Sequence, residues 1–295
     1  MRALRLIAAA ATLALAGCGG GEDASDRTTV VAGLYPLAWA AAEVGGEDVD
    51  VRNLTPPGSE PHDLELSARD VSRVRDADVV LFLGGGFQPA LDDAAAGSTG
   101  ALDLLEGIEL REAAGHEKEQ SEEGEEHAEE VDPHVWLDPL RFARIVRRIG
   151  ATLERPERAA ELARRLEALD GEFRRALASC GRREIVVSHA AFSYLADRYR
   201  LRQVAIAGVS PEAEPSPRRL REAVERVRAT NATTVFLEPL VSPRVAETVA
   251  RETGASTAVL NPLEGLTKDE VARGDDYLVV MRRNLEALRE ALECR

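Results

Sequence analysis

From Thr28 onward, short continuous apolar runs alternate with stretches whose apolar positions recur every three or four residues. The runs Thr28–Leu34, Val49–Leu54 and Val79–Leu83 predict strands, closed off by turn residues such as Thr55-Pro56-Pro57-Gly58 and Gly84-Gly85-Gly86. Pro36–Val44, Ala68–Arg75 and Phe87–Ala96 predict the helices between and after them. A further helix starts at Asp138-Pro139, with the aspartate as N-cap and the proline in the first turn, and keeps Phe142, Ile145, Val146, Ile149 and Leu153 on one face. Across Pro156–Ser179, Leu162, Leu166, Leu169, Phe173 and Leu177 repeat at helical spacing with charged residues between them. That is one long amphipathic helix of about 35 Å. A second strand–helix series follows. Its strands are Glu184–Ser188, Gln203–Ile206, Thr234–Leu237 and Thr257–Leu260, and its helices lie near Ala190–Tyr199, Pro217–Arg228, Pro243–Glu252 and Asp276–Leu292. The expected fold class is α/β: two α/β lobes, each a mainly parallel sheet flanked by helices, joined by one long rigid linker helix. The expected boundaries are 28–154 for the first lobe, 155–179 for the linker and 180–295 for the second, with no internal sequence repeat.

Two segments break this pattern. Arg2 and Arg5 precede an apolar run from Leu6 to Ala16 that is too short to span a bilayer, which predicts a secretory signal over residues 1–17. Leu15-Ala16-Gly17-Cys18 resembles a bacterial lipobox, so Cys18 is the expected lipidation site, with residues 18–27 as a glycine-rich tether; an ordinary cleaved signal is the alternative. The second break is residues 111–132, where ten acidic residues against Arg111 and Lys118 give −8 and no apolar period survives. This stretch is expected to be a solvated acidic loop.

Composition narrows the function classes. Of 295 residues, 44% are hydrophobic and 30% charged, as in a packed chain of two ordinary domains. A net charge of −15 and only 4% aromatic residues argue against a nucleic-acid partner. Three cysteines are too few for a disulfide scaffold or a cysteine-based zinc ribbon. With Cys18 assigned to the leader, Cys180 and Cys294 form a candidate extracytoplasmic disulfide, the alternative being two unpaired thiols.

The chemistry rests on histidine. There are five: His62, His116, His127, His134 and His189. His116 and His127 fall in the acidic loop and are at most weak accessory metal sites. The others occupy structured corners. His62 follows the strand Val49–Leu54, His189 ends the strand Glu184–Ser188, and His134 sits between prolines in Asp132-Pro133-His134-Val135-Trp136-Leu137-Asp138-Pro139. Glu264 follows the strand Thr257–Leu260 through Asn261-Pro262-Leu263, and could equally cap the turn before Leu266. In α/β sheets ligands gather beyond the carboxyl ends of strands, and three imidazoles with one carboxylate would fill a zinc shell.

Four segments carry a resemblance. They are Pro57-Gly58-Ser59-Glu60-Pro61-His62-Asp63-Leu64-Glu65, the His134 segment just quoted, Ser188-His189-Ala190-Ala191-Phe192-Ser193-Tyr194-Leu195, and Leu260-Asn261-Pro262-Leu263-Glu264-Gly265-Leu266-Thr267. Together they resemble the metal-site segments of zinc-specific solute-binding lipoproteins of metal ABC transporters, as do Val209–Ser216 and Gly274-Asp275-Asp276-Tyr277. The resemblance implies a non-enzymatic, monomeric receptor, lipid-anchored on the outer face of the cell membrane. Such a receptor captures Zn2+ and passes it to an ABC permease, and some relatives are also proposed to be adhesins. It implies His62, His134 and His189 as ligands. Many relatives place an aspartate where Asn261 stands, while a subgroup uses the glutamate three positions later, here Glu264; Asn261 or water are the alternatives. Manganese and iron receptors of the same superfamily usually carry a carboxylate at the position of His189, so an imidazole there favours zinc over a Mn2+ or Fe2+ cargo. A secreted zinc hydrolase is the remaining alternative; it lacks a His-Glu-x-x-His pair.

Overall fold

The computed structural model describes residues 27–112, 131–211, 217–230 and 232–295. Cys18, His116 and His127 lie outside the described residues. The first half runs β1 (Thr28–Ala32), α1 (Tyr35–Gly45), β2 (Val49–Asn53), α2 (Ala68–Asp76), β3 (Val79–Phe82), α3 (Pro89–Ala95) and β4 (Ala101–Asp103). All pairs are parallel, in the order β2-β1-β3-β4. The central strands are apolar on both faces because helices cover both, and Val30, Ala32, Val80 and Leu81 are fully buried.

Two helices then lead to the second half: α4 (Pro139–Thr152) and α5 (Pro156–Ala176). Asp138 caps α4, its carboxylate accepting from the N–H of Leu140 at 2.9 Å. The 21 residues of α5 span about 31 Å. A Cβ on Gly150 would meet the Ala159 Cβ at 2.1 Å, so this glycine lets the two helices cross at close range. Leu162, Leu166, Leu169 and Phe173 turn inward from α5 and join a core shared by both sheets.

The second half repeats the plan with β5 (Glu184–Val187), α6 (Ser193–Tyr199), β6 (Arg202–Ala205), α7 (Pro217–Thr230), β7 (Thr234–Leu237), α8 (Arg244–Thr253), β8 (Ser256–Val259), α9 (Lys268–Ala272) and α10 (Tyr277–Ala291). Its parallel order, β6-β5-β7-β8, is that of the first sheet. Cys180 and Cys294 are joined in a disulfide that ties the C-terminus to the approach to β5. Among the described residues, no helix is long and apolar enough to cross a membrane.

Several expected boundaries move. The helix expected from Phe87 begins at Pro89, because Gln88 is buried and spends its amide on Gly33 and Pro61. The linker helix stops at Ala176 instead of Ser179, where the chain turns toward the disulfide. The helix expected near Ala190 starts at Ser193, since the N–H of Ala190 is held by the carbonyl of Gly208. Strand β4 and helix α9 were not expected, being only three and five residues long. Residues 113–130 of the expected acidic loop lie outside the described residues, and at its end Asp132 is fully buried rather than solvated.

Candidate metal centre

The four candidate residues come from four separate connections. His62 lies in the loop from β2 to α2, where the Gln88 side chain donates to the carbonyl of Pro61 at 3.0 Å and the Phe87 ring meets the imidazole edge-on. His134 opens a 3-10 turn, Val135–Leu137. That turn is fastened to the second half of the molecule: the Trp136 indole donates to the carbonyl of Pro262 at 2.8 Å, and the Tyr194 hydroxyl to the carbonyl of Asp132 at 2.7 Å. His189 follows β5 after Ser188. Glu264 follows β8 through Leu263, a buried leucine held at φ 58, in the left-handed region that side chains avoid.

In that strained turn the side chain of Asn261 is already committed. Its side-chain oxygen accepts from the N–H of Leu263 at 2.7 Å, and its amide nitrogen donates to Glu270 at 3.0 Å. Asn284 holds both backbone groups of Asn261. With its oxygen committed to the turn, Asn261 builds the corner that presents Glu264. Glu264 does not cap the turn before Leu266: its Oε1 faces the three imidazoles, and its buried Oε2 has no hydrogen-bond partner among the described residues.

One ligand atom from each of His62, His134, His189 and Glu264 lies within 4.8 Å of the other three. Oε1 of Glu264 is 2.9 Å from Nε2 of His134, 3.1 Å from Nε2 of His189 and 3.4 Å from Nε2 of His62. Nε2 of His134 and of His189 stand 3.4 Å apart. Four ligands about 2.0–2.1 Å from a tetrahedral zinc stand about 3.3 Å from one another, so these four spacings are close to a tetrahedron's edges, while the two remaining pairs, His62 with His134 and with His189, lie within 4.8 Å. His134, His189 and Glu264 are almost wholly buried and His62 nearly so.

The far side of each inner imidazole is also occupied. Asp132 accepts from Nδ1 of His134 at 2.7 Å, and Glu238 from Nδ1 of His189 at 2.6 Å. A neutral ring that gives its Nδ1 proton to a carboxylate presents a lone pair at Nε2. Lone pairs aimed at a carboxylate oxygen repel unless a proton or a cation lies among them. Burial works against a charge on His134 and His189, yet the neighbouring carboxylates outweigh it. Asp132 and Glu264 raise His134 above its usual range, and Glu238 and Glu264 raise His189 well above it. Burial lowers His62, and its contact with Glu264, which acts the other way, does not outweigh that. Burial would raise Glu264, but His189 and the three imidazole contacts hold it well below the carboxylate range. Glu60, two residues before His62, is pushed up to about 9 by burial and by the charge of Glu264. In the ion-free chain, protons supply the positive charge this donor set demands.

Glu238 was missed from the sequence. It follows β7, the strand beside β5, and its one sequence signal is that position at the carboxyl end of a central strand. Asp132 falls both in the acidic stretch and in the His134 segment, but no sequence signal assigns it a role of its own.

Two parallel α/β sheets bridged by a long helix, with a buried imidazole-rich cradle between their loops, define a two-lobed metal-binding receptor. The chain belongs to the ZnuA family, described as zinc-uptake complex component A, periplasmic, whose profile matches residues 30–291. It is 33% identical to the high-affinity zinc uptake system protein ZnuA of Bacillus subtilis, over 97% of this chain and 96% of that protein. It is 35% identical to the zinc-binding lipoprotein AdcA of Streptococcus pneumoniae over 98% of this chain, but spans only about 60% of that relative's length. The Zn(II)-bound ZnuA-like domain of pneumococcal AdcA superposes with a TM-score of 0.72 at 32% identity, covering 90% of this chain and 99% of that one.

Proposed function

We propose that the protein is an extracytoplasmic receptor that captures Zn2+ between His62, His134, His189 and Glu264 and hands it to an ABC permease. Residues 1–17 act as an export signal and Cys18 carries the lipid that holds the chain, through the tether 18–27, on the outer face of the cell membrane. Residues 28–154 and 180–295 form the lobes, and 155–179 the connection between them. The observation that carries this reading is the convergence of three Nε2 atoms on one carboxylate oxygen at tetrahedral spacings. A hydrolase would leave a position open for water and place a general base beside it. Here the carboxylate oxygen lies among the imidazoles as a fourth donor.

Titration calorimetry tests the proposal. One Zn2+ should bind per chain, far more tightly than Mn2+, and His189→Ala should weaken zinc about 100-fold, the share of one donor in a four-ligand site. His189→Glu should narrow the zinc–manganese gap, because an oxygen donor suits the harder ion. Equal affinity of wild type and His189→Ala would sink the proposed site.

The proton-linked behaviour has a definite sign. Zinc needs neutral imidazoles, and two of them bind protons above 6.5, so zinc affinity should fall as the pH is lowered, starting above that value. In the zinc-free chain the direction is reversed. The stability that His189 gains from its carboxylates is complete below pH 6.5 and is lost as the pH rises through its elevated value. The zinc-induced rise in melting temperature should therefore grow from about pH 5.5 to about pH 7.5. Thermal scans with and without zinc measure it, and a shift that shrinks with rising pH would contradict the protonation pattern.

A further inference from the structure

The two carboxylates behind the imidazoles hold their histidines differently. Glu238 uses both oxygens: Oε1 accepts from the backbone N–H of His189 at 3.1 Å, and Oε2 from Nδ1 of the ring at 2.6 Å. Asp132 uses one: Oδ1 accepts from both the backbone N–H of His134 at 2.9 Å and its ring Nδ1 at 2.7 Å. Its Oδ2 accepts from the Ser193 hydroxyl. From this difference we infer that Glu238 is a positioning residue that locks His189 in the metal-competent tautomer. The lock requires two acceptor oxygens, whereas the Asp132 lock on His134 requires one.

The argument follows from donor counting. A glutamine at position 238 has one acceptor oxygen and one amide donor group. The backbone N–H of His189 cannot stop donating, so it claims the oxygen. The NH2 then faces Nδ1, which can adapt only by becoming an acceptor and moving the ring proton to Nε2. That proton sits on the lone pair pointed at Glu264, where zinc would bind. An asparagine at position 132 meets no such conflict. Its single oxygen serves both donors of His134, and its NH2 donates to the Ser193 oxygen, whose hydroxyl rotates to accept. Each substitution removes one negative charge beside one imidazole, so charge loss alone predicts similar effects from both.

The inference rests on zinc capture by these imidazoles, and its test separates the two. Zinc titrations of the full chain should show Glu238→Gln weakened about 10–100-fold and Asp132→Asn within about fivefold of wild type. Long-range 1H–15N NMR of the zinc-free chain should find His189 protonated at Nδ1 in wild type and at Nε2 in Glu238→Gln, at a pH where the ring is neutral. Glu238→Asp keeps two acceptors and should keep the wild-type tautomer, which maintains the test should the glutamine variant not fold. An unchanged tautomer and affinity in Glu238→Gln, or an equal loss in Asp132→Asn, would overturn it. Failure of wild type to bind zinc would overturn the proposed function instead, while the tautomer comparison would still decide the role of Glu238.

Discussion

Replacing Glu264 with alanine should lower zinc affinity by about two to three orders of magnitude. A closed four-ligand zinc site is worth about 10–16 kcal/mol, so one donor carries about 3–4 kcal/mol, and every 1.4 kcal/mol is tenfold in affinity. Glu264 belongs at the upper end of that range because it supplies the only anionic donor of the set and its Oε1 lies within 3.4 Å of all three imidazole nitrogens. Without it, three neutral rings would face a divalent ion in a buried pocket with only outer carboxylates to offset its charge. Asn261→Ala provides the contrast. It removes the acceptor that holds the N–H of Leu263 and the donor to Glu270, so it should loosen the corner and cost stability while leaving all four donors in the chain. Competition against a chelator of known zinc affinity measures both. If Asn261→Ala abolished binding and Glu264→Ala left it intact, the fourth donor would be misassigned.

The contrast shows what the sequence displays and what it hides. Strand ends are legible because an apolar run stops at a turn, and a histidine placed just beyond one is conspicuous in a chain with five. His62, His189 and Glu264 stand out in that way and His134 by the prolines that stiffen its segment, but it is the resemblance of their segments that marks them as a ligand set and favours Glu264 over Asn261. The residues behind them leave no such trace. Asp132 is the last of ten acidic residues in 111–132 and opens the His134 segment, and nothing local shows that its carboxylate is buried against Ser193. Glu238 looks like an ordinary glutamate before a proline, because its partner His189 is 49 residues away and the pairing of β5 with β7 brings them together. The same limit affects the elements. Strand β4 has three residues, too few to show a period, and Gln88 leaves the expected helix for a buried hydrogen-bonding task that no local pattern records. Periodicity reports which face of an element is buried; it does not report which polar group is needed on the far side of a ligand.

Removing the Cys180–Cys294 bridge should lower stability by about 4–5 kcal/mol and leave zinc affinity unchanged. The bridge closes a loop across a sequence separation of 114 residues. Freeing a loop of that length returns chain entropy to the unfolded state worth about 4–5 kcal/mol at room temperature. For a chain of this size each kcal/mol moves the melting temperature by about 2–4 °C, so a loss of about 10–15 °C is expected. The folded state itself should change little. The Arg182 N–H still donates to the carbonyl of Leu292 and the Arg295 N–H to that of Ser179, and Leu288 and Leu292 keep the last helix docked by burial. Zinc affinity should be unaffected because of where the bridge lies. Cys180 precedes β5 at its amino end, whereas His189 follows its carboxyl end, so the length of the strand separates the bridge from the donors. The double variant Cys180→Ala/Cys294→Ala avoids exposing a lone thiol and is the form to measure, by thermal melting and zinc titration together. A small drop in melting temperature would mean that the unfolded chain is already constrained in this region. A matching loss of zinc affinity would mean that the bridge reaches the metal cradle through β5.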